Sequence, residues 1–187
     1  MSFGNIILLI IVGVGAYLVT IYNKFVSLRA GINAAESDID VQLKRRYDLI
    51  PALVDTVRGY KDYEAGTLEK VIKARQQGVS AGTMDEKAAA ATMMSGALGK
   101  LFALAEAYPD LKANTNFLKL QDELSSLEDS IQNARRYYNA IVRDFNAKIE
   151  SFPDLYIAQK YNFTPREYFE LEESEAIAAT KMPKIDL

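Results

Sequence analysis

Between positions 117 and 145, nine apolar residues recur at alternating intervals of three and four: Phe117, Leu120, Leu124, Leu127, Ile131, Ala134, Tyr138, Ile141 and Phe145. A strand repeats every two residues, so this spacing places all nine on one face of an α-helix. A seam kept up over four heptads needs other helices to cover it, which makes the chain all-α with coiled-coil packing. A helix over 111–151 would be about 60 Å long. Earlier in the chain a second stripe runs through Phe25, Leu28, Ile32, Ala35 and Ile39, and resumes at Ile50, Leu53, Val57, Tyr60, Leu68 and Val71. It predicts a first arm over 24–77, kinked at Pro51, because the proline ring crowds the carbonyl four residues back and has no N–H to donate. Gly78 to Gly82 end that arm. Thr83 and Glu86 then have the spacing of a capping box opening an alanine-rich helix over 84–107. Tyr108-Pro109-Asp110-Leu111 reads as the next turn, with Asp110 as N-cap of the third helix. The expectation is an elongated antiparallel three-helix bundle over 24–151.

The N-terminus is of another kind. Met1 to Asn23 carry no charge, and between Phe3 and Tyr22 only Asn5 and Thr20 have strongly polar side chains. About 20 apolar residues cross about 30 Å of hydrocarbon, so residues 1–23 read as a transmembrane anchor whose helix runs on into the first arm. The competing reading, a buried soluble helix, would require every face of the helix to be covered in a small domain. A cleaved signal peptide fits poorly, since no Lys or Arg precedes the apolar run. Lys24 and Arg29 follow it, which places the body in the cytoplasm by the positive-inside rule, with a periplasmic or extracellular body as the alternative. Tyr17, Tyr22 and Phe25 suit an interfacial belt, although Tyr22 and Phe25 could equally open the core of the bundle.

From residue 152 to 187 the chain changes again. Six aromatics, Phe152, Tyr156, Tyr161, Phe163, Tyr168 and Phe169, fall within 18 residues, interrupted by Pro153 and Pro165. This reads as a docking tail that closes the bundle end, with Thr164, Pro165 and Glu167 as N-cap, N1 and N3 of a short acidic helix. A partner-binding tail is the alternative.

Composition removes most enzyme mechanisms. The 187 residues include no Cys and no His, so thiol nucleophiles, imidazole acid-base chemistry and Cys or His metal sites are absent from the sequence. A formal charge of −3 gives no overall attraction to nucleic acid. Arg45, Arg46 and Asp48 sit beside the proline, Glu64 lies on the first stripe, and Glu128, Arg135 and Asn139 flank the third helix's seam. A carboxylate on a seam is costly unless paired, so these residues are expected to form a structural polar network that fixes helix register. The sharper alternative makes Glu64 and Glu128 catalytic or metal-binding carboxylates, but a narrow bundle offers little concave space for them. No catalytic, metal or cofactor-binding residue is therefore assigned. The Lys44-Arg45-Arg46 cluster could touch anionic lipid only if the arm lay down, since it is about 30 Å from Lys24 along a straight helix.

Four runs carry a family resemblance: Leu43-Lys44-Arg45-Arg46-Tyr47-Asp48-Leu49-Ile50-Pro51-Ala52-Leu53-Val54, Gly59-Tyr60 with Glu64, Tyr108-Pro109-Asp110-Leu111-Lys112, and Ala134-Arg135-Arg136-Tyr137-Tyr138-Asn139. In this order, with the apolar N-terminus before them and Phe152-Pro153 after, the chain resembles the LemA family over nearly its full length. One departure is Tyr63-Glu64, where that family often has His-Glu. The resemblance implies a long antiparallel helical bundle in a bacterial cytoplasmic membrane, with no established enzymatic activity. The function expected is a single-pass, non-enzymatic scaffold that contacts the lipid bilayer, self-associates as a homo-oligomer and organises membrane-protein partners, without nucleic acid. An accessory or signalling adaptor for a membrane protease or kinase is the alternative.

Overall fold

The computed structural model describes residues 2–59 and 65–170. All the secondary structure among them is helical: α1 (Phe3–Arg58), α2 (Ala65–Ser80), α3 (Met84–Ala105), α4 (Pro109–Lys112), α5 (Thr115–Glu150) and α6 (Asp154–Lys160). The contacts divide into two compact units, and α1 and α5 contribute to both. Glu64 and the acidic residues from Glu172 onward lie outside the described residues.

Unit 1 comprises the chain up to Ser37 together with Arg136–Glu167. Residues 2 to 20 are exposed, and every large apolar side chain from Phe3 to Val19 faces outward. A soluble protein does not leave so large a continuous apolar surface bare, so the reading of this segment as a buried soluble helix is overturned. Protein cover begins at Ile21 and is complete at Phe25, which is 0% exposed. Phe25 stacks on Phe163 with ring centroids 4.8 Å apart and meets Phe145 edge-on at 5.9 Å, so it belongs to the core rather than to an interfacial belt. The Arg29 guanidinium lies 5.3 Å from the centroid of the Phe163 ring. Asn162, in the left-handed conformation at φ 53°, turns the chain out of α6.

The expected helix at Thr164-Pro165 is absent, because residues 163–170 are non-helical. Their backbone groups are claimed by α5 instead. The Asn146 amide donates to the Arg166 carbonyl at 2.9 Å and accepts from the Arg166 N–H at 2.9 Å, and the Tyr138 hydroxyl donates to the Glu167 carbonyl at 2.9 Å. The tail's helical turn lies earlier, in α6, where Ile157 and Ala158 are buried.

Unit 2 comprises Asp38–Arg135 with the described residues from Tyr168. The single kinked arm over 24–77 is corrected here. Arg75 Nε donates to the Tyr47 carbonyl at 2.9 Å, whereas 28 residues of continuous helix would separate the two by about 42 Å. The chain therefore reverses between α1 and α2, and unit 2 is built from α1, α2, α3 and α5, with four long helical segments rather than three. Ile39, Ile50, Leu53 and Val57 of α1 are buried, as are Leu68, Val71 and Ala74 of α2. Methionines, alanines and leucines of α3, among them Met94, Leu98 and Leu101, make up its buried face. Thr83 and Glu86 form the capping box, with Glu86 Oε2 accepting from the Gly82 N–H at 2.8 Å and the Thr83 N–H at 3.1 Å. These two donors hold the Glu86 carboxyl below its ordinary range.

The third helix begins later than its sequence signal. Pro109 and Asp110 lie in the four-residue α4, and the N-cap of α5 is Asn114, whose Oδ1 accepts from the N–H groups of Asn116 at 2.9 Å and Phe117 at 3.0 Å. Along α5 the buried positions are Phe117, Leu124, Leu127, Ile131, Tyr138, Val142, Phe145 and Ile149. Past Tyr138 the seam moves from Ile141 to Val142, as expected when a helix of 3.6 residues per turn drifts against a 3.5-residue repeat.

Candidate functional site

Two of the charged seam residues, Arg46 and Glu128, meet in unit 2. Arg46 projects from α1 and is 1% exposed. Its Nη2 lies 2.9 Å from Ser95 Oγ on α3 and 2.9 Å from Glu128 Oε2 on α5. Ser95 Oγ approaches both Glu128 oxygens, at 3.3 and 3.2 Å, and also lies 3.1 Å from the Ala91 carbonyl. One guanidinium nitrogen thus ties three helices together. Arg46 Nε and Nη1 are buried and have no hydrogen-bond partner among the described residues. Burial depresses the pKa of Arg46, Glu128 opposes that shift, and Arg135 adds to it. An arginine remains charged through such a shift, so the site holds a fixed cation with one carboxylate beside it.

Next to it, Pro51 leaves a carbonyl free. In a continuous helix the Tyr47 oxygen would accept from the N–H of residue 51, and proline has none. Arg75 supplies the missing donor from α2. The Tyr47 ring lies against Gly78, where a Cβ would overlap it. Gly78 sits inside α2 rather than ending the arm, and its value is the space it leaves. Burial raises the pKa of the Tyr47 phenol, with Arg46 acting in the opposite direction. The hydroxyl has no hydrogen-bond partner among the described residues.

Among the remaining residues of the sequence-derived set, Arg135 is near enough to act on Arg46 electrostatically. Arg45 is exposed. Asp48 is also exposed, in an i,i+4 pair with Lys44 at 2.8 Å. Arg135 places its guanidinium 4.6 Å from the centroid of the Phe169 ring. Asn139 is half-buried on the α5 segment of unit 1, and Glu64 is outside the described residues. Sequence reasoning missed Ser95, which reads as one more small residue in an alanine-rich helix. It also missed Arg75 and Gly78, although the lone carbonyl that Pro51 creates is a signal that some donor must be found. Lys87 and Asp40, 2.7 Å apart, add a further tie between α3 and α1.

As chemistry, the cluster provides one carboxylate, one hydroxyl and one cation, all directed at each other. Among the described residues no group of three or more acidic side chains is placed to hold a metal ion. The clefts in the groove between α2 and α3 are shallow and lined largely by alanine, methionine and lysine. α3 itself is long and apolar enough to cross a membrane, but its buried face and its ties to Asp40 and Arg46 mark it as a core helix.

Comparison with known proteins gives a consistent picture. The LemA family model matches residues 35–186. Protein LemA of Metamycoplasma hominis is 33% identical over 150 residues, covering 78% of this chain and 67% of that protein. Magnetosome protein MamQ 2 of Paramagnetospirillum magneticum is 25% identical over 189 residues, covering 86% of this chain and 70% of its own length. Magnetosome protein MamQ of Magnetospirillum gryphiswaldense is 24% identical over 174 residues, with 79% and 64% covered.

Proposed function

The chain belongs to the LemA family, and from that premise we propose that it is a non-enzymatic, single-pass scaffold that self-associates at a bacterial cytoplasmic membrane and organises membrane-protein partners. Membrane association itself rests on firm ground: the LemA and MamQ relatives and the bare apolar start of α1 agree. The observation that carries the finer reading is the contact of Arg46 with Ser95 and Glu128 across helices. Arg46, Ser95 and Glu128 are occupied in holding α1, α3 and α5 in register, and that arrangement supports a structural role.

Self-association is tested by the mass of the full chain purified alone, in detergent and in lipid nanodiscs. A scaffold gives assemblies of many copies in both. A monomer or dimer in both overturns the reading in favour of an adaptor that waits for its partner. The cytoplasmic placement of the body rests on Lys24 and Arg29. A topology reporter fused after Leu187 should be active in the cytoplasm, and adding three lysines before Phe3 while replacing Lys24 and Arg29 should reverse or scramble it. Activity of the unmodified fusion only outside the cytoplasmic membrane would contradict the assignment.

A further inference from the structure

The bare part of α1 and the covered part meet at a defined level. Residues 3 to 20 are exposed and Ile21 is the first buried position. Eighteen residues of helix measure about 27 Å, close to the hydrocarbon thickness of about 30 Å. The bare segment is thus used up by the bilayer, and no stalk is left to hold unit 1 away from the membrane.

The residues that unit 1 presents at that level can be read from its helix pairing. Gly31 faces Ile141, and Phe25 faces Phe145, so α1 and α5 run antiparallel here. Continuing from Phe145 to Glu150 advances about 7 Å toward the bare end of α1. The Ser151–Pro153 turn and α6 follow, and Tyr161 returns to α1 with its ring 4.7 Å from that of Tyr22. At this base Phe152, Tyr156 and Tyr161 are 81%, 63% and 51% exposed, and the Phe152 and Tyr156 rings pack edge-on at 5.9 Å. Lys24 and Lys160, neighbours in sequence of Tyr22 and Tyr161, are exposed as well, together with Glu150. Exposed phenylalanine and tyrosine with flanking lysine is the side-chain set that favours the boundary between acyl chains and headgroups.

We propose that Phe152, Tyr156 and Tyr161 form a second membrane contact, seated in the lipid interface around the exit of α1. This rests on the reading of residues 3–20 as a membrane anchor. The contact fixes how unit 1 stands on the bilayer, which a lone helix free to tilt would not do.

The chain has no tryptophan, so single indoles can report depth. Four full-length variants, Phe152→Trp, Tyr156→Trp, Tyr17→Trp and Tyr137→Trp, are reconstituted in phosphatidylcholine and phosphatidylglycerol vesicles. Each is measured with phosphatidylcholine brominated high on the acyl chains and, separately, with iodide. All four sites are exposed, so folding is preserved. Tyr137 lies 13 residues before the end of α5 at Glu150, about 20 Å along the helix, and serves as the aqueous control.

The expected result is bromolipid quenching of Phe152→Trp and Tyr156→Trp at least half that of Tyr17→Trp, with Tyr137→Trp quenched only by iodide. Quenching of Tyr17→Trp by bromolipid while both base variants behave like Tyr137→Trp overturns the second contact and leaves the anchor standing. No bromolipid quenching of Tyr17→Trp overturns both. Base variants shielded from both quenchers indicate contact with another copy of the chain and overturn the proposal. So does bromolipid quenching of Tyr137→Trp equal to that of Phe152→Trp.

Discussion

Unit 1 and unit 2 share two helices but are held together by different means. In unit 1 a non-helical tail is secured by aromatic rings around Phe25 and by side chains of α5 that take up its backbone groups. In unit 2 the partners are helices whose backbones are already satisfied, and apolar packing is supplemented by a buried guanidinium with directional bonds to α3 and α5. The difference shows what each kind of element requires. A segment without helical hydrogen bonds of its own takes its path from donors and acceptors on its host, each such bond contributing about 0.5–1.5 kcal/mol. Helices packed by small and aliphatic side chains can slide or rotate, so they need a polar contact to set register.

The largest effect that would sharpen this contrast comes from the aromatic cluster. Phe163→Ala removes the ring that touches Phe25, Phe145 and Arg29, and should destabilise the full chain in detergent by about 3–5 kcal/mol. Peptide-resolved hydrogen exchange should show the loss of protection concentrated in residues 136–167. Equal loss throughout α2 and α3 would mean that the two units do not differ as described.

A smaller effect is expected at the hairpin of α1 and α2. Gly78→Ala would place a methyl group inside the Tyr47 ring and should lower stability by about 2 kcal/mol in a urea melt, despite alanine being the better helix former. A gain in stability would show that Tyr47 does not fill that space.

The smallest effect has the opposite sign. Tyr47→Phe removes a buried hydroxyl without a partner among the described residues, and should raise stability by about 1 kcal/mol at neutral pH. Because the folded phenol is raised above its ordinary value of about 10, the wild-type contribution is intact below that pH. It is lost as pH rises through the folded value. The advantage of Tyr47→Phe should therefore widen above pH about 10, and a gap that narrows there would contradict the burial of Tyr47.

Much of the fold was legible because one rule, hydrophobic spacing, acts locally. The α5 seam and the Thr83 and Glu86 capping box are short-range signals, and both appear in the structure. The hairpin between α1 and α2 was not legible, because Tyr60, Leu68 and Val71 continue the stripe at helical spacing and Gly59 alone does not demand a reversal. The cap of α5 was misplaced because Asp110 and Asn114 are equally good N-caps by type, and the choice between them depends on which turn packs. Thr164-Pro165 has a helix-start pattern, yet Asn146 and Tyr138 compete for that backbone from elsewhere in the chain. The polar cluster was half legible. A charge on a seam announces that it needs a partner, but Arg46, Ser95 and Glu128 are 33, 49 and 82 residues apart in pairs, and only the tertiary packing selects them.

The central claim is that the buried charge is a fastening between helices. A double-mutant cycle on Arg46→Met and Glu128→Leu, followed by urea melts of the full chain in detergent, tests it most directly. Glu128→Leu alone leaves Arg46 without its carboxylate and should cost about 3 kcal/mol, whereas the double variant should be clearly more stable than the sum of the two losses predicts, with coupling of about 1.5 kcal/mol or more. Losses that add within about 0.5 kcal/mol, or a Glu128→Leu variant as stable as the wild type, would show that this pair does not hold the helices in register.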